Sequence, residues 1–414
     1  MGFLARLKTA ALKGVRGLWT KISTARPRFS RRPSSPLADR LLTDTLRLAE
    51  LPSPTEKEEK RAEFILERLA SLGIPGDVDE DGNITATIPV EGTGDARPLL
   101  LFADLGTTRW SPLGSLSRLD PEKAIGAGIS DSLGAAALLS IAEGVHSGSI
   151  KPGGSLLLLF AARSLHDPRS GIFKRLVEHS ALRPAAAIGA RGIGLGALSQ
   201  KPLGTYRLSV MVRTLDPTEA AVHPSETAKG VHSQSAVSAA VLVAQRLGGV
   251  KWDSEGATSC HVRRIVAGTG FGRFPTEGVV DIEIESADAK VLEMAMKAAT
   301  ATAETVGKEL SANLMVSIVG YVPVGEPSIS ASLISSAKEA MRELKIKQTD
   351  DPGADLAAFL SALGVPAVSL GIAYGHVGIE LDEIDVTSIE SGRRLLVAMT
   401  ERSFTVADRR EKAR

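Results

Sequence analysis

Continuous apolar runs alternate with helix-like segments over much of the chain. "LLLFAD" at 99–104 and "LLLLFA" at 156–161 are patterns typical of strands buried on both faces of a sheet. Residues 130–148, between them, are rich in small residues and predict a helix packed closely on that sheet. A helix followed by another apolar run recurs at 355–375. The alternation predicts an α/β fold with a mixed, largely parallel central sheet flanked by helices, and with its chemistry at the carboxyl ends of the strands.

The pattern changes at about residue 206 and changes back at about residue 321. "YRLSVMVRT" and "VVDIEIES" alternate apolar and polar residues, as strands with one exposed face do. The predicted order of elements is strand, helix, strand, strand, helix, strand, which is the ferredoxin-like βαββαβ unit. We therefore expect an inserted domain at 206–321, an interrupted main domain at 37–205 and 322–405, and a charged tail at 406–414.

Residues 1–36 form a basic leader and linker without any acidic residue. Apolar residues recur there at helical spacing and place one apolar stripe opposite the cations. A helix of this kind binds an anionic membrane surface, and we expect residues 1–32 to do so, with Trp19 at the level of the headgroups. Two other interpretations stay open. The arginine content also suits an organelle-targeting peptide, and Gly14 and Gly17 favour a solvated basic tail.

Composition narrows the classes of function. The 414 residues are 43% hydrophobic and 23% charged, which fits a globular protein of more than one domain. The net charge of +1 provides no basic field for nucleic acid, and no apolar run reaches the roughly 18 residues that a membrane span needs. The single cysteine, Cys260, excludes an internal disulfide and a thiolate zinc cluster. We expect a cytoplasmic protein, peripheral to a membrane through its leader, that binds no nucleic acid.

Several strings, in this order and layout, resemble the di-zinc peptidase family of peptidase T, carboxypeptidase G and aminoacylase. They are "SPTEKEEKRAEFILERL", "DEDGNITATIP", "GAGISDSLGAAALL", "LGVPAVSLG" and "LDEIDVTSIESGRRLL", and the match spans roughly 41–403. In the first string, Thr55 and Glu58 predict a capping box that opens a helix. The resemblance implies a homodimer formed through the insert and an amide-hydrolysing centre. In such enzymes an aspartate bridges two zinc ions, and a glutamate deprotonates the water that they activate.

The family motifs place two retained carboxylates at this centre. In "ADLGTT" the first histidine ligand falls on Asp104, and the aspartate that orients it falls on Gly106. The bridging aspartate matches Asp131, at the start of the small-residue helix. The resemblance therefore implies that Asp104 and Asp131 are vestigial metal ligands. Each also has a plain structural interpretation, because an aspartate caps a first helical turn or hydrogen-bonds the amides of a loop.

The next positions carry side chains that do not serve a zinc centre. The paired glutamates, one the general base and one a ligand, fall on Arg163 and Ser164. An arginine stays cationic and accepts no proton, and a neutral serine is a poor ligand for zinc. The further acidic ligand falls on Gly189 or Ala190. Together with the position of the last histidine, the resemblance thus implies that the base and at least three zinc ligands are absent.

The histidines of the family have uncertain counterparts. An ungapped match places the last histidine ligand on Ile379, whereas a shifted loop would place it on His376. The resemblance also implies a histidine from the insert, for which His223 and His232 are the candidates.

Two hypotheses about function follow. The first is a metallopeptidase-like pseudoenzyme without a cofactor, which binds or scaffolds and whose emptied pocket accepts a small peptide or a carboxylate. The second is an active amide hydrolase in which zinc or another divalent metal is held by a rewired set of donors, namely Asp104, Asp131, His166, Asp167 and His376. Both hypotheses include the homodimer.

Overall fold

The computed structural model describes residues 35–51, 53–54, 57–91, 96–107, 117–162, 183–198, 203–215, 235–248, 258–350 and 356–411, with side chains up to residue 403. Its helices are α1 Pro36–Glu50, α2 Glu59–Ser71, α3 Ile129–His146, α4 Ala236–Gly248, α5 Ala289–Leu310, α6 Pro327–Glu343, α7 Leu356–Ala362 and α8 Ile389–Glu411. Its strands are β1 Gly76–Val78, β2 Ile84–Ile88, β3 Leu99–Asp104, β4 Arg118–Leu119, β5 Lys123–Gly126, β6 Leu156–Ala161, β7 Ala186–Ile193, β8 Ala197–Leu198, β9 Gly204–Arg213, β10 Thr258–Ala267, β11 Glu277–Ser286, β12 Asn313–Val322, β13 Thr349–Asp350, β14 Ala367–Ala373, β15 Gly375–His376 and β16 Asp382–Asp385.

Six of the described strands form the central sheet, in the order β1-β2-β6-β3-β7-β14. The last four of these are parallel to one another, whereas β1 and β2 join them through antiparallel pairs. β3 lies between β6 and β7, with Leu99 opposite both Leu156 and Ala186. This topology confirms the predicted α/β class with a mixed, largely parallel sheet.

The central strands are covered on both faces. Every residue of β6 and β14 is buried, and only the last residue of β3 is partly exposed. On one face, Phe102 of β3 and Leu159 of β6 pack against Leu356 and Leu360 of α7. On the other face, α3 contacts β3 and β7. The continuous apolar runs of the sequence therefore reflect burial on both faces of the sheet, whereas a strand with one exposed face would alternate apolar and polar residues.

Glycines allow α3 to lie directly against the sheet. A Cβ atom at Gly134 would overlap the carbonyl oxygen of Ala190 in β7, and one at Gly192 would overlap the carbonyl oxygen of Ser130. Helix backbone and strand backbone are therefore in contact. This contact fixes the first turn of α3, which carries Asp131.

A second sheet contains the strands of the predicted insert, in the order β10-β11-β9-β12. Every neighbouring pair in it is antiparallel. α4 and α5 cover one face, where their small apolar residues pack against alternate residues of β9 and β11, such as Leu208, Val210 and Ile282. The order of strands and helices is that of the predicted βαββαβ unit. The domain boundaries themselves stay a prediction.

Two described helices extend into the ranges predicted for the linker and for the charged tail. Ser35 accepts a hydrogen bond from the N–H of Ala38 and caps α1, so Ser35 and Pro36 belong to the body and not to the leader. Ser35 also donates to Glu390 of α8 at 2.9 Å. α8 continues to Glu411, within the predicted charged tail. The membrane-binding helix predicted for the leader lies outside the described residues, and no described helix is both long and apolar enough to cross a bilayer.

Candidate functional site

The carboxyl ends of β3, β6, β7 and β14 meet at one edge of the central sheet. Asp104 ends β3 and pairs in register with Ala161, which ends β6. Beyond β3 the chain turns towards α3, where the hydroxyl of Thr107 donates a hydrogen bond of 2.8 Å to Asp131 Oδ2. The two predicted vestigial ligands, Asp104 and Asp131, therefore lie on elements that meet at this edge.

The first turn of α3 is capped from a distant part of the chain. Its N-cap residue is Gly128, which has no side chain to offer. Asp382 of β16, which is fully buried, supplies the cap: Oδ2 accepts from the hydroxyl of Ser130 at 2.5 Å and from its N–H at 3.4 Å. Asp382 therefore provides a side-chain cap for this turn, and Asp131 accepts a hydrogen bond from the hydroxyl of Thr107.

The loop after β3 is tied to the segment that precedes α2. The N–H of Thr107 donates to the carbonyl oxygen of Ser53 at 3.1 Å, and Pro54 and Thr107 form a parallel β-bridge. This connection holds the segment before α2 against the loop.

Arg61, in the first turn of α2, is a buried residue of this site that the sequence interpretation missed. Its side chain is 1% exposed. Nη1 donates to the carbonyl oxygens of Leu105 and Gly106 at 3.0 and 3.3 Å, and Nη2 donates to the hydroxyl of Ser132 at 2.9 Å. Nε donates to the carbonyl oxygen of Leu48 at 3.0 Å. The guanidinium therefore joins α1, α2, α3 and the loop after β3.

Arg61 is a fixed positive charge next to two carboxylates. Burial lowers the pKa of Arg61 to about 10, although the nearby carboxylates of Asp131 and Glu58 act in the opposite direction. The guanidinium consequently stays protonated at neutral pH. A signal for this residue exists in the sequence, because Arg61 precedes the buried residues Ile65 and Leu69 at helical spacing and so occupies a core position of α2.

The carboxylate of Glu58 lies next to Gly106, the position at which the family has the aspartate that orients its first histidine ligand. The predicted capping box is wrong at this position: α2 begins at Glu59, and Glu58 is its N-cap without a side-chain capping bond. Glu58 is instead 6% exposed, and a Cβ atom at Gly106 would lie 2.9 Å from Glu58 Oε1. The carboxylate of Glu58 therefore occupies the space into which a side chain at position 106 would extend.

Position 189, the first candidate for the missing acidic ligand, has no room for a side chain. Gly189 pairs in register with Phe102, and a Cβ atom there would lie 2.6 Å from Ser369 Oγ and 2.7 Å from Phe102 Cζ. Ala190, the second candidate, is 5% exposed and its carbonyl oxygen lies against Gly134 of α3. A carboxylate at position 189 would require Ser369, Phe102 or the sheet to move.

The two candidates for the last histidine lie at the surface. The side chain of Ile379 is 99% exposed. His376 in β15 is also exposed and pairs across the ladder with Glu383 of β16. Within the described ranges no three His, Cys, Asp or Glu side chains are grouped as a metal site, so Asp104, Asp131 and His376 form no such group.

The described donors do not fit a centre of two zinc ions. Positions 106 and 189 are glycine, position 379 is isoleucine, and the space at position 189 is filled by other side chains. The remaining predicted site residues lie outside the described residues: Arg163, Ser164, His166, Asp167, His223 and His232. The rewired set of donors is therefore still a prediction.

No family model and no curated protein matches the chain. Solved structures do match it. The aminopeptidase PepT from Bacillus cereus superposes with a TM-score of 0.63 at 17% identity, over 88% of this chain and 98% of that one. YxeP of Bacillus subtilis, a dinuclear metal-binding peptidase of the M20 family, gives 0.58 at 14% identity, over 89% and 99%. The dipeptidase Dug1p of Saccharomyces cerevisiae gives 0.67 at 11% identity, over 88% and 96%.

The chain therefore has the fold of these peptidases, including both sheets. At 11% to 17% identity the likeness establishes the architecture alone. The chemistry has to be argued from the residues at the site, because one fold supports many functions.

Proposed function

We propose that this protein is a metallopeptidase-like pseudoenzyme, which uses the peptidase fold for binding or scaffolding and does not hydrolyse amides. The filled position at Gly189 carries the proposal, because Phe102 and Ser369 occupy the space that a metal-binding carboxylate would need. Ile379 is a further ligand position without a donor, and Gly106 lacks the aspartate that would orient the first ligand. A catalytic zinc ion takes about three protein ligands, so these losses leave too few donors for two ions.

Metal analysis combined with an amide-hydrolysis assay tests the proposal. The purified protein is loaded with zinc, manganese or cobalt, passed through a desalting column and analysed for bound metal, and then incubated with di- and tripeptides. We expect substoichiometric metal and no hydrolysis above that of Asp131→Asn, the matched variant that lacks the predicted bridging carboxylate. Hydrolysis that a chelator abolishes and Asp131→Asn lacks would contradict the proposal.

The retention of Asp104 and Asp131 at one edge of the sheet favours a second candidate, a metal-dependent amide hydrolase. Its site would add His166, Asp167 and His376. The same assay distinguishes the two candidates, since activity lost in His166→Ala as well as in Asp131→Asn would support the rewired site.

The ligand that we propose for the pseudoenzyme is a small peptide or a carboxylate, because the fold neighbours are peptidases. A thermal-shift titration with tripeptides and with their amidated forms tests this proposal. Stabilisation by the free peptides alone would indicate recognition of the carboxylate, whereas no stabilisation by either would contradict the proposal.

We also propose a homodimer formed through the second sheet. Val237 and Val241 on the outer side of α4, and Ile265 and Val266 on the edge strand β10, are between 38% and 53% exposed. α4 packs on β10, so these apolar side chains lie on adjacent elements. In sedimentation velocity at micromolar concentration we expect a dimer that Val241→Glu dissociates. Met294→Glu, at an exposed position of α5, should leave the dimer intact, and a monomeric unaltered protein would contradict the proposal.

The leader supports a proposal of its own, namely that residues 1–32 attach the protein to an anionic membrane surface. The basic charge and apolar stripe of the leader favour this attachment. Co-sedimentation with vesicles rich in phosphatidylserine should pellet the full chain and not a protein that begins at Ser35, which keeps the cap of α1. Salt should weaken the binding. Equal pelleting of both proteins would remove the proposal.

A further inference from the structure

One cation and a carboxylate are enclosed together against the loop that follows β3. Arg61 is 1% exposed and Glu58 is 6% exposed. Both lie near Gly106, because Arg61 Nη1 donates to its carbonyl oxygen and a Cβ atom there would lie 2.9 Å from Glu58 Oε1. Arg61 Nη2 donates to Ser132, the residue directly after Asp131. The guanidinium thus lies between the start of α2 and the first turn of α3.

The hydrogen bonds of Arg61 do not neutralise its charge. It donates to carbonyl oxygens and to one hydroxyl, all uncharged: those of Leu48, Leu105, Gly106 and Ser132. A buried charge is costly unless an opposite charge accompanies it. Asp131 and Glu58 are the carboxylates that act on Arg61. The reverse also holds, since each of these two carboxylates gains a permanent positive neighbour.

We propose that Arg61 is a built-in substitute for a metal ion: its guanidinium supplies the positive charge that Asp131 and Glu58 need, so this edge of the sheet stays assembled without a divalent cation. The inference rests on the proposed absence of a metal centre and names what replaces it. It implies that removal of the guanidinium leaves a cavity beside two carboxylates that have lost this positive charge, and that a small divalent cation can enter the cavity.

Urea denaturation of the full chain with and without millimolar MnCl₂ tests this inference. Arg61→Ala should shift the unfolding equilibrium by at least about 100-fold towards the unfolded state, because it removes a buried cation and its hydrogen bonds from beside the carboxylates of Asp131 and Glu58. MnCl₂ should recover about ten-fold or more of this loss in Arg61→Ala and none in Arg61→Ala/Asp131→Asn. Arg68→Ala is the matched control on the same side of α2.

The control removes a salt-bridged arginine that lies nearer the surface. Arg68 binds Asp44 and Glu143 at 3.0 Å each, and its side chain is 14% exposed. MnCl₂ should not alter the stability of Arg68→Ala. An equal effect of MnCl₂ on Arg68→Ala and Arg61→Ala, or no effect on Arg61→Ala, would overturn the inference.

Charge-neutral variants decide the case in which Arg61→Ala does not fold. If Arg61→Met/Glu58→Gln/Asp131→Asn folds where Arg61→Met does not, the arginine is needed for its charge and the inference stands. If the triple variant also fails to fold, the arginine is needed for its hydrogen bonds and the inference falls. Amide hydrolysis by the unaltered protein would overturn the proposed function alone, since these stability measurements do not depend on activity.

Discussion

Gly189→Ala tests whether the missing ligand position is closed. The added Cβ atom would lie 2.6 Å from Ser369 Oγ and 2.7 and 2.8 Å from two ring carbons of Phe102. Ordinary carbon contacts are about 3.5–4.0 Å, so at least one side chain has to move by about 1 Å. Phe102 is 3% exposed and is surrounded by core residues of the sheet and α7, which restricts its movement.

The cost follows from two opposing terms. Overpacking of a core costs about 1–3 kcal/mol. Alanine also restricts the unfolded chain, which returns about 0.4–1 kcal/mol. We therefore expect Gly189→Ala to lower the free energy of unfolding by about 1–2 kcal/mol. Gly189→Asp should lower it by several kcal/mol more, on the order of the cost of an unpaired buried charge, or prevent folding.

Urea denaturation followed by far-UV circular dichroism measures these differences. Gly248→Ala is the control, because a Cβ atom there would meet nothing within 4 Å, and it should leave the stability unchanged or slightly raised. Combining Gly189→Ala with Ser369→Gly should recover part of the loss. A Gly189→Ala variant as stable as the unaltered protein would refute this reasoning. A Gly189→Asp variant that folds, binds stoichiometric metal and hydrolyses amides would also refute it, because position 189 would then have room for a ligand.

Three further predictions concern elements around the site. Gly134→Ala should lower the free energy of unfolding in urea by about 2 kcal/mol or more, because its Cβ atom would overlap a backbone carbonyl oxygen of β7. Gly144→Ala in the same helix is the control and should cost less, because its Cβ atom would meet only the side chain of Ile150. Equal losses of stability in the two variants would mean that α3 does not contact β7 closely. Burial raises the pKa of the Cys260 thiol to about 11, which lowers the fraction of reactive thiolate. Iodoacetamide at pH 8 should therefore alkylate the folded protein about 100-fold more slowly than the urea-unfolded chain. Equal alkylation rates, followed by mass spectrometry, would contradict this prediction. Ser35→Ala should destabilise the protein by about 1 kcal/mol by removing the cap of α1, and an unchanged urea midpoint would show that α1 does not depend on it.

The fold was predictable because its signals are local. Continuous apolar runs identify the buried strands, and the change to alternating patterns at about residue 206 identifies the second sheet. The ends were less predictable, since Ser35 acts through a cap on α1 and a bond to Glu390, which lies far away in the sequence. Hydrogen bonds between residues far apart in the sequence produce no periodic pattern from which they could be predicted.

The site was predictable only where one residue decides the chemistry. Gly189 and Ile379 have no side chain that can bind a metal ion in any conformation, so the sequence alone shows that neither residue is a side-chain ligand. Glu58 and Arg61 could not be assigned in the same way, because their importance arises from contacts with Gly106, 48 and 45 residues further along the chain. A charged residue at a core position of α2 was the one available signal, and it indicates burial without naming a partner.

Asp131 has a structural reason to be present even without a metal. Its carboxylate accepts the hydroxyl of Thr107, and Thr107 in turn joins the loop after β3 to Ser53, so one aspartate links α3 to the segment that precedes α2. Loss of this carboxylate would remove an acceptor of the buried Thr107 hydroxyl and one of the two carboxylates that act on Arg61. A ligand-type residue can thus persist in a site that holds no ion, because the same negative charge is needed to balance the guanidinium and to hold the loop. Retention of Asp131 is therefore no argument for catalysis, and only the loss or gain of metal-dependent chemistry on mutation would make it one.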